Sequence, residues 1–142
     1  NIDYGKKLFE YLNDNITDKN FYYIDGSTSK EKREKIKSLM KEVDKDKPKV
    51  LIASFGTFST GINLKKLDNV IFASGSKSEV KVLQSIGRAL RKGNDADKAT
   101  LYDITDDLSY GSFENYTLQH FKKRIEIYGQ EEFAFKVYTV DI

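Results

Sequence analysis

Phe21-Tyr22-Tyr23-Ile24, followed by Asp25-Gly26-Ser27-Thr28-Ser29, is the stretch that decides the fold. Large apolar side chains in an unbroken run, bounded by polar residues, predict a buried strand. The turn after it holds only short side chains. Thr28 or Ser29 can cap the helix that follows by accepting a first-turn amide hydrogen. That helix is expected to reach about Val43, with Ile36, Leu39, Met40 and Val43 as its inner stripe. Its other faces mix lysine, arginine and glutamate, which reads as a solvated surface.

The same kind of apolar run recurs along the chain. Val50-Leu51-Ile52-Ala53, Val70-Ile71-Phe72-Ala73 and residues 99–104 read as further strands. Tyr4, Leu8, Tyr11 and Leu12 recur at helical spacing behind a loop and cap at Asn1-Ile2-Asp3. Residues 54–63, rich in Gly, Ser and Thr, read as a loop. Ser78 can cap a helix that Gly93-Asn94-Asp95 ends. The last helix carries Leu118, Phe121, Ile125 and Tyr128 on one face, Lys122, Lys123 and Arg124 elsewhere, and Gly129 as its C-cap. Phe133, Phe135 and Val137 alternate with Ala134, Lys136 and Tyr138, the pattern of a terminal strand.

Apolar strands separated by helices predict an α/β domain with a largely parallel sheet covered on both faces. Ligands of such sheets gather at the carboxyl ends of the strands. The loops at 25–29, 54–63 and 74–78 all follow strands, so they are expected to share that edge.

The totals bound the function. A chain of 142 residues suffices for one domain with a real core. Net charge is +2, from 24 basic and 22 acidic residues, so any basic surface must come from local clustering. Cysteine is absent and His120 is the one histidine, which excludes disulfides, thiolate metal sites and multi-histidine centres within the chain. No signal peptide, membrane-length apolar run, internal repeat or low-complexity linker is visible. A location in the cytoplasm is expected.

The chemistry is concentrated in Gln84-Ser85-Ile86-Gly87-Arg88-Ala89-Leu90-Arg91. At about 100° per residue, Gln84, Arg88 and Arg91 share one helix face. Val82, Leu83, Ile86 and Leu90 share another, roughly 150° away. A guanidinium stays charged and grips phosphate oxygens in a fixed fork. Two of them, behind a glycine that clears the backbone, read as an oxyanion site. Yet there is no Gly-x-x-x-x-Gly-Lys-Ser/Thr loop and no Gly-x-Gly-x-x-Gly. His120 reads as structural. Asp103, Asp106 and Asp107 could suggest Mg²⁺, but capping and solvation are their expected role. The chain therefore offers half of a shared phosphate site and no metal site of its own.

The Gln-x-x-Gly-Arg-x-x-Arg spacing resembles motif VI of superfamily 2 helicases. Ser59-Thr60-Gly61-Ile62-Asn63 is similar to their motif V, and Asp25-Gly26-Ser27-Thr28 with Arg33 to a segment of their second RecA-like domain. The tail, Lys123-Arg124-Ile125-Glu126-Ile127-Tyr128 and then Glu132-Phe133, resembles the end of the recombination and repair helicases of T-even phages. The resemblance implies a three-layer RecA-like (P-loop NTPase-like) fold, with residues 1–142 as a single domain cut from a longer chain and lacking its first strand. It implies that Arg88 and Arg91 are arginine fingers and that Gln84 lies at the same nucleotide cleft. Gly61, Asn63 and Gly87 would lie near the nucleotide; Asn63 departs from the Asp common there. Gly26, Ser27, Thr28, Ser59 and Thr60 would touch the nucleic-acid backbone. ATP and Mg²⁺ would be held mainly by a first RecA-like domain, and DNA, branched or at strand junctions, would be the partner. The chain alone is expected to be inactive. A non-hydrolysing nucleic-acid clamp, or a motor for RNA or for a restriction enzyme, are the rival readings.

Overall fold

A computed structural model of the chain describes residues 2–42, 47–59, 68–74 and 100–141. Helix α1 (Ile2–Asn15) leads into β1 (Asn20–Ile24), α2 (Lys30–Lys41) and β2 (Lys49–Ala53). The short α3 (Phe55–Ser59), β3 (Asn69–Phe72), β4 (Thr100–Asp103) and α4 (Tyr116–Gln130) follow. Strands β1 and β2 pair in parallel from Asn20↔Lys49 to Ile24↔Ala53. Strands β3 and β4 pair in parallel from Asn69↔Thr100 to Phe72↔Asp103. Parallel neighbours need a crossover, and α2 supplies it between β1 and β2. The fold is therefore α/β with parallel strands, as the apolar runs predict. The expected helix over residues 78–92 lies outside the described residues.

Local sequence explains the elements. Ser29 has extended backbone angles and its hydroxyl accepts the Lys32 amide at 3.3 Å, which starts α2. Ile36 then turns inward and packs with Ile24, Tyr22, Met40 and Leu51. On the other side of β1, α1 comes close because Gly5 has no side chain. A Cβ there would stand 3.3 Å from the Tyr23 ring. Phe9 fills the next space, its ring 5.9 Å from that of Tyr23. A second apolar cluster joins Phe72 and Tyr128 with Phe55, Val70, Leu101, Ile125 and Phe133. Phe58 packs against both clusters.

Four expectations are corrected. Helix α1 already includes Ile2 and Asp3, and Asp3 lies in the first turn, where a carboxylate complements the exposed amides. Residues 55–59 are helical rather than loop. The Ser54 carbonyl accepts the Thr57 and Phe58 amides, both at 3.0 Å, and only a helical turn brings Phe55 and Phe58 to the core together. Gly129 lies inside α4, whose C-cap is Glu131; Glu132 takes the left-handed turn at φ 56. That turn is closed by the Glu132 amide on the Gly129 carbonyl at 3.1 Å and the Phe133 amide on the Tyr128 carbonyl at 2.9 Å.

The fourth is the terminal strand: residues 133–141 join no ladder among the described residues. The turn at Glu132 instead folds Phe133 and Phe135 onto Tyr128, with ring centroids 6.4 and 5.8 Å away. Val137, Tyr138 and Val140 remain 57, 78 and 77% exposed. Alternation supplies a sheet face but not a partner. Ile71 and Tyr102, opposite each other in register, are 60 and 52% exposed.

Candidate nucleic-acid interface

The loop after β1 is built around one carboxylate. Asp25 ends the strand and is 1% exposed. Its Oδ1 accepts the Ser27 amide at 2.9 Å, the Ser27 hydroxyl at 2.6 Å, the Thr28 amide at 3.1 Å and the Thr28 hydroxyl at 3.2 Å. Its Oδ2 accepts the Tyr23 hydroxyl at 3.1 Å. The Asp25 amide donates to Thr28 Oγ1 at 3.0 Å, closing the turn from the other side. Hydrogen bonds to an ionised carboxylate favour the charged form. The Ser27 hydroxyl above all, with the Ser27 amide, Tyr23 and Thr28, holds the Asp25 carboxyl down to about 2. Burial, with help from Asp25, pushes the Tyr23 hydroxyl up to about 12, so it remains a donor.

Arg33 holds the same loop from α2. Its Nη2 donates to the Asp25 and Gly26 carbonyls, both at 3.1 Å. Gly26 and Ser27 are exposed, and the space where a Gly26 Cβ would stand is open. The result is a rigid, small-residue turn at the carboxyl end of a parallel strand. Such a turn admits a sugar–phosphate backbone closely and carries no base code.

The loop after β2 begins with Ser54, whose amide donates to the Ile24 carbonyl at 3.2 Å and so continues the ladder. The Ser54 and Thr57 hydroxyls are 2.8 Å apart, and Thr57 is buried. Ser59 ends α3. Of the expected site residues, Gly26, Ser27 and Thr28 thus share one loop, and Ser59 lies at the close of a helix after the neighbouring strand. Thr60, Gly61, Asn63, Gln84, Gly87, Arg88 and Arg91 lie outside the described residues.

At the end of β4 the acidic residues divide. Asp103 is not solvated. It takes Arg124 Nε at 2.7 Å and Nη2 at 2.8 Å, a bidentate pair, and the Tyr128 hydroxyl at 2.6 Å. The Arg124 and Asp103 side chains are 1 and 7% exposed. Arg124, placed by sequence off the apolar face of the last helix, is a buried residue; its guanidinium also lies 5.6 Å from the Phe121 ring centre. Burial and the Asp103 bond push the Tyr128 hydroxyl far above its ordinary range. Asp107 does act as a turn cap, accepting the Ser109 amide at 3.0 Å, and the Ser109 hydroxyl lowers its pKa. Among the described residues no group of three His, Cys, Asp or Glu side chains could hold a metal ion.

Sequence reasoning undervalued Asp25, and the signal for it was present: Asp followed by Ser and Thr two and three residues on is the pattern of a side chain that caps its own turn. Arg124 also had a signal. On a helical projection it falls about 40° from Tyr128, at the margin of the apolar stripe.

Comparison with known proteins places these features in a family. The model of the helicase conserved C-terminal domain matches residues 2–93. The chain belongs to the helicase C-terminal domain family. This helicase domain is 35% identical to the ATP-dependent DNA helicase uvsW of Enterobacteria phage T4, over 99% of the chain but 29% of that protein's length. Protein CHROMATIN REMODELING 20 of Arabidopsis thaliana is 37% identical over 53% of the chain and 5% of its own length. In fold, the domain is similar to the C-terminal part of the Fun30 ATPase domain, with a TM-score of 0.53 at 23% identity, covering 91% of this chain and 45% of that one. The helicase family match takes in both the Asp25 loop and the Gln84-to-Arg91 stretch, whereas α4 and the tail lie beyond it.

Proposed function

We propose that this domain is the C-terminal RecA-like motor of an ATP-dependent superfamily 2 DNA helicase or translocase that serves branch migration, recombination and repair. The observation that carries the proposal is the strand-end turn at residues 25–28. In a chain of the helicase C-terminal family, it offers an exposed, rigid, sequence-indifferent seat for a phosphate backbone. Gly26, Ser27 and Thr28, with Ser59 and Thr60, make the backbone contacts. Gln84, Arg88 and Arg91 face the nucleotide, with Gly87 clearing the approach and Gly61 and Asn63 beside it.

ATP and Mg²⁺ would be held mainly by a first RecA-like domain of the same protein. The donor set of this chain suits that division: two guanidiniums match phosphate oxygens and repel a cation. ATP supplies the free energy for movement. Arg88 and Arg91 neutralise negative charge developing on the phosphate oxygens, and closure of the two domains changes the grip on one DNA strand.

The test is Arg91→Ala in the full-length protein. Its thermal unfolding should match the parent, while DNA-stimulated ATP turnover should fall at least about 10²-fold, a floor set below the roughly 10³–10⁵-fold that an arginine finger is worth. A nearly normal rate would remove Arg91 from the mechanism. Competition between branched DNA, duplex DNA and RNA for the same protein identifies the substrate class.

A further inference from the structure

Resting on the proposed contact between residues 26–28 and DNA, we infer that Asp25 is the positioning residue of that contact. It does not itself touch the nucleic acid: it is 1% exposed and sits behind the turn. A negative group would be a poor neighbour for a phosphate unless its charge were already engaged. Here it is engaged by every donor that Ser27 and Thr28 point inward, and by Tyr23.

Two consequences follow from the donor inventory. The hydroxyl hydrogens of Ser27 and Thr28 are committed to Asp25 Oδ1, so these side chains meet a phosphate in one fixed orientation. Releasing them would leave a buried carboxylate without its partners, which is costly. The loop therefore does not reshape itself around DNA; Asp25 sets its shape beforehand, and Arg33 fixes its carbonyls from the opposite side. A preset loop loses less freedom on binding, so the benefit appears as affinity for the strand.

The experiment is DNA-stimulated ATP hydrolysis by the full-length protein, with KM for DNA and kcat measured separately on two unrelated sequences, and thermal unfolding alongside. Asp25→Ala should raise KM for DNA by about tenfold or more, and by more than it lowers kcat, equally on both sequences. Asp25→Asn, which keeps an acceptor toward Ser27 and Thr28, should restore most of the affinity. Tyr23→Phe, which leaves the bonds to Oδ1 in place and removes those of the Tyr23 hydroxyl to Asp25 Oδ2 and to the Ile2 carbonyl, should raise KM by about threefold with little change in folding. It carries the test if Asp25→Ala does not fold. An unchanged KM in Tyr23→Phe and Asp25→Ala, or an Asn variant as impaired as the Ala variant, overturns the inference. Gly26→Glu separates the inference from its foundation: it places a charge on the open face without touching the Asp25 bonds. If Gly26→Glu leaves KM for DNA unchanged, the loop does not meet DNA, and the proposed contact itself fails. If Gly26→Glu weakens DNA binding while the Asp25 and Tyr23 variants do not, only the positioning role falls.

Discussion

Asp25 ties stability to pH in a direction fixed by its surroundings. Its folded pKa of about 2 lies below the unfolded value of about 3.9. The folded state therefore binds the proton less readily than the unfolded one. The stabilisation is complete above about pH 4 and is lost as pH falls toward 2. Urea unfolding of the parent and of Asp25→Asn between pH 5 and 2 should show a steeper acid loss in the parent; parallel curves would mean that the carboxylate is not held as described. The second residue of consequence is Asp103. Its removal takes three hydrogen bonds to a carboxylate away from the buried Arg124 guanidinium and Tyr128 hydroxyl. Asp103→Ala should cost about 3–5 kcal/mol by denaturant unfolding, the usual penalty for breaking a buried pair from one side. Neither network follows from hydropathy alone. Asp103 and Arg124 stand 21 residues apart, and both read as surface residues until the fold brings them together.

At the level of elements, backbone geometry makes the sharpest demand between β4 and α4. Residues 110–113 form a tight turn in which the Tyr110 and Phe113 backbones exchange hydrogen bonds at 3.0 Å, and Gly111 sits at φ +60. Gly111→Ala should cost about 1 kcal/mol, since a Cβ disfavours that region, and thermal unfolding will register it as a lowered Tm. The regular elements were largely legible. Strands β1 and β2 follow their apolar runs to within a residue, and Ser29 caps α2 as its position predicts. Helix α3 was hidden by Gly56, Thr57 and Ser59, residues that favour loops, although Phe55 and Phe58 stand at helical spacing. The last strand was misread because period-two alternation reports which side chains share a face, not whether another strand lies alongside. For the candidate site, the sequence named the turn at residues 26–28 and missed what holds it in shape.

At the scale of the molecule, the described residues form two parallel ladders that carry two apolar clusters, and Phe58 packs against both. Charge is nearly balanced, so the proposed grip on DNA would come from local surfaces rather than from the total field. The sequence contains no Walker lysine loop. The purified 142-residue chain should therefore hydrolyse ATP no faster than a buffer blank with or without DNA, in a phosphate-release assay; sustained turnover would contradict the half-site reading. The tail that leaves α4 has a further consequence. Val137, Tyr138 and Val140 lie bare on a segment with no ladder partner among the described residues. Exposed apolar side chains in such a row are adhesive. In concentrated solutions of the isolated chain, copies would stack through it, and both dilution and cooling would loosen them.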